Sequence, residues 1–187
     1  MKVGVLALQG DFDAHRRRLQ ELGASATLVR KPAQLDEVEA LVIPGGESST
    51  LLWHLEQHGF FHRLAEFVRA RPTFGTCAGA ILLASEVANP PQKSLGAMNI
   101  SVERNAYGRQ INSFIGGVHW TRGGDPLEAV FIRAPRITSV GEGVEVLASE
   151  GSHPVLVQQG HLMAATFHPE LSADKRVHAA FLELIGP

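Results

Sequence analysis

The chain changes its hydrophobic rhythm about halfway along. In the first part, short unbroken apolar runs alternate with stretches of helical spacing. Residues 3–8 form the first such run, the mark of a strand covered on both faces. Gln9-Gly10-Asp11 turns the chain, and residues 13–22 place apolar side chains at helical spacing until Gly23 stops them. Residues 26–30 and 40–43 read as the next two strands, and Pro44-Gly45-Gly46-Glu47-Ser48-Ser49 as a tight loop. A helix follows to about His58, is interrupted at Gly59 and resumes over 60–69. Pro72-Thr73-Phe74 reads as a short strand, and residues 78–84 as a helix of small residues running into an apolar stripe. Alternation of this kind predicts a parallel sheet with helices on both faces.

From Met98 onward the rhythm shortens. Strands are predicted over 99–103, 111–115, 129–133, 145–148, 154–159 and 162–167, with Gln159-Gly160-His161 as a hairpin turn and a last helix over 173–185. The pattern predicts an α/β fold with a mixed, mostly parallel sheet and an antiparallel extension. Neither an internal repeat nor a linker divides it, so one domain over 1–187 is expected.

Composition narrows the class. A length of 187 residues suffices for a full core, and 44% hydrophobic with 19% charged residues is ordinary for a globular protein. A net charge of −2 gives no electrostatic case for nucleic acid or an acidic membrane. One cysteine excludes an internal disulfide. The opening Met1-Lys2-Val3-Gly4-Val5 reads as strand rather than signal peptide, and no apolar run approaches the roughly 20 residues of a membrane span. A cytoplasmic protein is the expectation.

That single cysteine lies in Gly75-Thr76-Cys77-Ala78-Gly79, between the predicted strand and the small-residue helix. A strand turning straight into a helix, with small residues around a nucleophile, is the sequence form of a nucleophile elbow, and a helix N-terminus favours thiolate. A lone cysteine is more often a buried hydrophobe, but Phe167-His168-Pro169-Glu170 changes the balance. Pro169 biases His168 towards extended backbone, where positions i and i+2 project to one side. Glu170 can then orient one imidazole nitrogen while the other faces the thiol. A His-Pro-Glu tripeptide alone is a polar turn; beside Gly-x-Cys-x-Gly the triad reading is the stronger.

The Pro44 loop offers a phosphate nest, a helix cap through Ser48 or Ser49, or a glycine amide as oxyanion donor with Glu47 receiving a substrate ammonium. The carboxylate of Glu47 opposes phosphate and favours the last. Gly45-Gly46 also permits either peptide orientation, with the carbonyl or the amide turned towards an oxyanion site. His54, His58 and His62 share i, i+4 spacing, but Gly59 breaks the helix and no fourth ligand is apparent, so they read as surface histidines and no metal is expected.

Pro44-Gly45-Gly46-Glu47-Ser48, Gly75-Thr76-Cys77-Ala78-Gly79 and His168-Pro169-Glu170 together resemble the motifs of class I (triad) glutamine amidotransferases. Leu8-Gln9-Gly10-Asp11, Arg104-Asn105-Ala106-Tyr107-Gly108-Arg109-Gln110 and Ala129-Val130-Phe131-Ile132-Arg133-Ala134-Pro135 are similar to the glutaminase subunits of two-component pyridoxal 5′-phosphate synthases, a resemblance that covers essentially the whole chain. Ser49 departs from the threonine expected there. The resemblance implies the three-layer amidotransferase fold and hydrolysis of L-glutamine to glutamate and ammonia. The ammonia passes to a (β/α)8-barrel synthase subunit in a large hetero-oligomer. By motif match, Cys77 is the nucleophile, His168 the acid/base and Glu170 its orienter. Gly45, Gly46, Glu47, Arg104, Ile132 and Arg133 match glutamine-binding positions, and the amides of Gly46 and Ala78 the oxyanion donors. No cofactor is implied. The rivals are a glutaminase serving another synthase, a cysteine peptidase on a related fold, and a regulatory module with a redox-sensing cysteine.

Overall fold

The computed structural model describes residues 1–104 and 113–186. The first half runs β1 (Lys2–Leu6), α1 (Phe12–Glu21), β2 (Ser25–Val29), β3 (Ala40–Ile43), α2 (Ser48–Gln57), α3 (Phe60–Ala70), β4 (Thr73–Thr76), α4 (Ala78–Leu83) and β5 (Ala84–Ala88). The second half runs β6 (Met98–Glu103), β7 (Phe114–Trp120), β8 (Leu127–Phe131), β9 (Arg136–Val140), β10 (Glu145–Glu150), β11 (His153–Gln159), β12 (Leu162–Ala165) and α5 (Arg176–Glu183). Nine strands form the central sheet in the order β2-β1-β3-β4-β12-β11-β10-β7-β8. Parallel pairing holds from β2 through β12, and antiparallel pairing from there to β8. A smaller sheet, β5-β6-β9, packs beside it.

Two-sided burial of the parallel strands explains their unbroken apolar runs. Val3, Val5, Ala40 and Val42 face the side that also holds Leu19 of α1 and Val177, Ala180 and Phe181 of α5. Their neighbours Leu6, Leu41 and Ile43 face the opposite side, with Leu51 and Leu55 of α2, Leu64 of α3 and Ile81 of α4. Val87, Ile100 and Ile137 bring the small sheet onto this second side. The result is the expected three-layer α/β fold. Gly59, at φ 68°, adopts the left-handed conformation that separates α2 from α3.

Several boundaries differ from the sequence reading. The strand expected over 111–115 begins at Phe114 and extends to Trp120; Ile111 and Asn112 lie outside the described residues, as does the 105–110 part of the Arg104 motif. The strand expected to reach Phe167 stops at Ala165, and the last helix occupies only Arg176–Glu183. Ile132 and Arg133 lie beyond the end of β8, where Arg133 takes a φ of 43°. Both β5 and β9 are additions, because their exposed polar positions blur the two-residue alternation.

Candidate active site

Register brings the loops together. Ile43 pairs with Gly75, and Thr76 with Ala165, so the chain leaves β3, β4 and β12 side by side at one end of the sheet. The carboxyl ends of parallel strands are where open α/β sheets place their chemistry. The Gly45 loop, Cys77 and His168 all follow these ends, and Gln9 follows neighbouring β1.

Cys77 joins β4 to α4 with φ 49° and ψ −101°, a conformation that side-chain-bearing residues rarely adopt. Its amide donates to the Ala165 carbonyl at 2.8 Å, and its carbonyl accepts from the Ile81 amide at 3.1 Å, which hold the bend in place. The turn closes only because its flanks lack side chains. A Cβ on Gly75 would lie 2.5 Å from the Gly79 carbonyl, and one on Gly79 would lie 2.1 Å from the Ile43 carbonyl oxygen. The elbow expected from Gly-x-Cys-x-Gly is thus present, with α4 packed against the end of β3.

His168 is tied to the antiparallel half by its amide, which donates to the Val130 carbonyl at 2.8 Å. Pro169 opens a 3-10 turn over Pro169–Leu171, so Glu170 reaches its neighbour through a turn rather than along an extended tripeptide. The contact is short: His168 Nδ1 donates to Glu170 Oε1 at 2.8 Å, leaving Nε2 for the other side of the ring. Glu170 is fully buried through its side chain. Burial pushes its carboxyl up, but the His15 and His168 rings outweigh this and hold it below the usual carboxylate range. Burial likewise opposes charge on His168, yet hydrogen bonding to Cys77 and Glu170 raises it to about 10. An imidazolium poised between a sulfur and a carboxylate is the electrostatic consequence.

The Pro44 loop is packed against both reactive side chains. A Cβ on Gly45 would stand 2.6 Å from His168 Cε1 and 3.2 Å from Cys77 Cβ. Gln9 secures the loop from outside: its Nε2 donates to the Gly45 carbonyl at 3.4 Å and its Oε1 accepts from the Glu47 amide at 3.1 Å. The Gly45 carbonyl also lies against Gly10, close enough to exclude any Cβ there. At this peptide the carbonyl is therefore turned towards Gln9 and Gly10. Planarity sets the Gly46 amide on the other side.

Glu47, not Ser48 or Ser49, caps α2. Its carboxylate accepts from the Ser49 and Thr50 amides at 3.2 and 2.6 Å and from both hydroxyls at 2.7–2.8 Å. Partial burial works against the charge, but these donors outweigh it and bring the carboxyl down to about 2. Arg104 Nη2 stands 3.4 Å from the same carboxylate. Gly46, Glu47, Arg104, Ile132 and Arg133 line one cleft of about 230 Å³ with Cys77 and His168, so every substrate-binding candidate except Gly45 borders it. Ser48, Ile81 and Pro135 also line it, without having been assigned a substrate-binding role from the sequence. His58 and His62 lie exposed on the surface of the α2–α3 pair, and His54 is half-buried there.

Two buried histidines escaped the sequence reading. His15 Nε2 lies 3.2 Å from Glu170 Oε2 and 3.1 Å from Thr76 Oγ1, and His15 Nδ1 lies 3.0 Å from His178 Nε2. Their signal was position: His15 precedes Leu19 by four and His178 precedes Phe181 by three, each on the apolar stripe of its helix.

Known proteins resemble this chain over nearly its whole length. The model of the SNO glutamine amidotransferase family matches residues 5–186. The pyridoxal 5'-phosphate synthase subunit PdxT of Koribacter versatilis is 60% identical over 185 residues, covering 99% of this chain and 96% of that protein. The PdxT of Thermosipho africanus is 47% identical, covering 99% of each. A crystal structure of a glutamine amidotransferase superposes with a TM-score of 0.91 at 48% identity, covering 99% of both chains. PurLQS from Thermotoga maritima, at 15% identity, shares the fold with a TM-score of 0.74, covering 97% of each chain. The chain belongs to the SNO glutamine amidotransferase family.

Proposed function

We propose that this protein is the glutaminase subunit of a two-component pyridoxal 5′-phosphate synthase, hydrolysing L-glutamine to L-glutamate and ammonia. The observation that carries the reading is the placement of thiol, imidazole and carboxylate at adjacent strand ends. His168 is oriented by Glu170 at 2.8 Å, and both Cys77 and His168 abut Gly45. In this reading the Cys77 thiolate attacks the carboxamide carbon. The resulting oxyanion is received by the Gly46 and Ala78 amides. As the C–N bond breaks, the imidazolium gives its proton to departing ammonia, leaving a thioester on Cys77. Neutral His168 then takes a proton from water, whose oxygen attacks the thioester carbon. Glutamate leaves and the thiolate is restored.

The cleft residues divide the rest of the substrate. Arg104 and Arg133 suit the α-carboxylate, because a guanidinium binds a carboxylate through paired hydrogen bonds. Glu47, ionised and bordering the cleft, suits the α-ammonium, and Ile132 covers the aliphatic part. In this reading ammonia then passes to a (β/α)8-barrel synthase subunit in a hetero-oligomer; that there is a synthase partner is supported by the PdxT relatives, which are subunits of pyridoxal 5'-phosphate synthases. Neither a cofactor nor a metal takes part in the reaction as written, and no helix among the described residues is long and apolar enough to cross a membrane.

The test is glutamate release from glutamine with and without the cognate synthase, for the wild type and Cys77→Ala. The substitution should abolish release and leave the fold intact, since the elbow is already built of small residues. Wild-type turnover from Cys77→Ala would defeat the proposal.

A further inference from the structure

We infer that His15 is a positioning residue for the triad carboxylate, fixing the rotation of Glu170 so that its Oε1 meets His168. This rests on the glutaminase reading. Glu170 has two oxygens, and only Oε1 is committed to His168. Oε2 is buried and has no aligned hydrogen bond among the described residues. The polar group facing it is His15 Nε2, 3.2 Å away and shared with Thr76 Oγ1 at 3.1 Å. Behind His15 stands His178, Nε2 to Nδ1 at 3.0 Å, and both rings are wholly buried.

One set of tautomers satisfies this chain of contacts. Burial holds both His15 and His178 below their ordinary values, the latter at about 3, so both rings are neutral. A neutral ring has one donor and one acceptor nitrogen. If His15 carries its proton on Nε2, that proton faces Thr76 and Glu170, and Nδ1 accepts from His178 Nε2–H. His178 Nδ1 is then a bare acceptor, and it is the atom left without a partner among the described residues. The opposite set is worse: His15 would present a lone pair to a carboxylate, and His178 would bury an unpaired N–H. Donation thus runs from His178 through His15 to Glu170, whose other oxygen accepts from His168.

The positions are supplied by three separate elements. His15 sits in α1, His178 in α5 and Thr76 at the end of β4, one residue before Cys77. α1 also touches the 3-10 turn that carries Glu170. The contact therefore locks the turn after β12 to the elbow after β4 from beneath, outside the substrate cleft. A carboxylate freed to rotate would offer His168 a longer, misdirected partner, with no change at the glutamine-binding residues. Loss should appear in kcat and not in KM.

The experiment uses the full chain with its synthase partner, comparing His15→Leu with His15→Gln, whose amide nitrogen reaches close to the position of Nε2. His15→Leu should lower kcat about 10-fold or more at unchanged KM, as loss of orientation behind a catalytic histidine does. His15→Gln should recover most of it. Where His15→Leu does not fold, the shorter His15→Asn carries the comparison and should remain slow while His15→Gln recovers. Equal kcat for wild type and the folded His15→Leu, or equal loss in His15→Gln and the variant without reach, would overturn the inference. Cys77→Ala in the same assay separates the two readings. If it is inactive while every His15 variant is fully active, only the inference falls; if it is active, the glutaminase reading falls too.

Discussion

A thiol beside an imidazole becomes a useful nucleophile when the ring is held in one tautomer and its cation is stabilised. Glu170 supplies both through a 2.8 Å hydrogen bond from His168 Nδ1, and helps raise that ring to about 10. Glu170→Gln keeps the shape and removes the charge. Turnover should fall by about 10² or more, with little effect on folding. The sign of its pH effect follows. Without the carboxylate the imidazolium is less favoured, so His168 deprotonates at lower pH and the alkaline limb of kcat/KM moves down from near 10. A pH–rate profile of the two proteins measures this directly. An unmoved alkaline limb would mean that the limb belongs to another group. At the same scale, Glu47 serves the helix end and the cleft at once. Four donors to its carboxylate keep it ionised, and one of its oxygens still lies within 3.4 Å of Arg104.

Elements act here mainly through where they stop. Gly79 lets α4 begin against β3, and an added Cβ would meet the Ile43 carbonyl oxygen at 2.1 Å. Backbone on both sides cannot yield cheaply, so Gly79→Ala should cost roughly 1–3 kcal/mol of stability and displace Cys77. Gly45→Ala is different in kind, because its Cβ meets the His168 ring and not a sheet strand. It should leave the melting temperature near that of the wild type and remove most turnover, a contrast that thermal melts and glutaminase assays of the two variants would reveal. Much of this scale was legible in the chain. Unbroken runs marked β1 and β3 because both faces of each strand are buried, and the paired glycines marked the elbow because there backbone meets backbone. What escaped was structure without a pattern. In β5 two exposed polar residues fall side by side, and the turn at Pro169–Leu171 carries its information in long-range contacts.

On the scale of the whole molecule, the layer between α1, α5 and the sheet holds polar groups that no linear pattern announces. His15, His178, Glu170 and Thr76 come from residues up to 163 positions apart, and only the fold brings them into contact. Their burial gives the protein a defined acid sensitivity. His178 is held at about 3 by burial first, with the neighbouring His15 and Arg18 acting in the same sense against weaker support from Glu170 and Glu21. His15 is lowered by burial and His168, against Glu170 and Asp11. A group with a depressed folded value and an ordinary value near 6.5 when unfolded takes up a proton on unfolding between the two. The unfolded state binds more protons there, so stability rises with pH and is lost as pH falls below 6.5. Glu170, also depressed, adds its loss only below its unfolded value of about 4.5, while His168, raised, contributes fully below 6.5 and loses stability only on the alkaline side, towards 10. Between pH 6.5 and 4.5, therefore, the two buried histidines are the members of this group that set the slope. Each proton taken up corresponds to about 1.4 kcal/mol per pH unit. Urea unfolding at several pH values in that window should show stability falling with acidity in the wild type. His178→Phe, which keeps a ring in the layer but cannot titrate, should lose roughly one proton's worth of that slope. Parallel stability curves for the two proteins would show that His178 is not neutral in the folded state, and with that the direction assigned to the buried relay would fail.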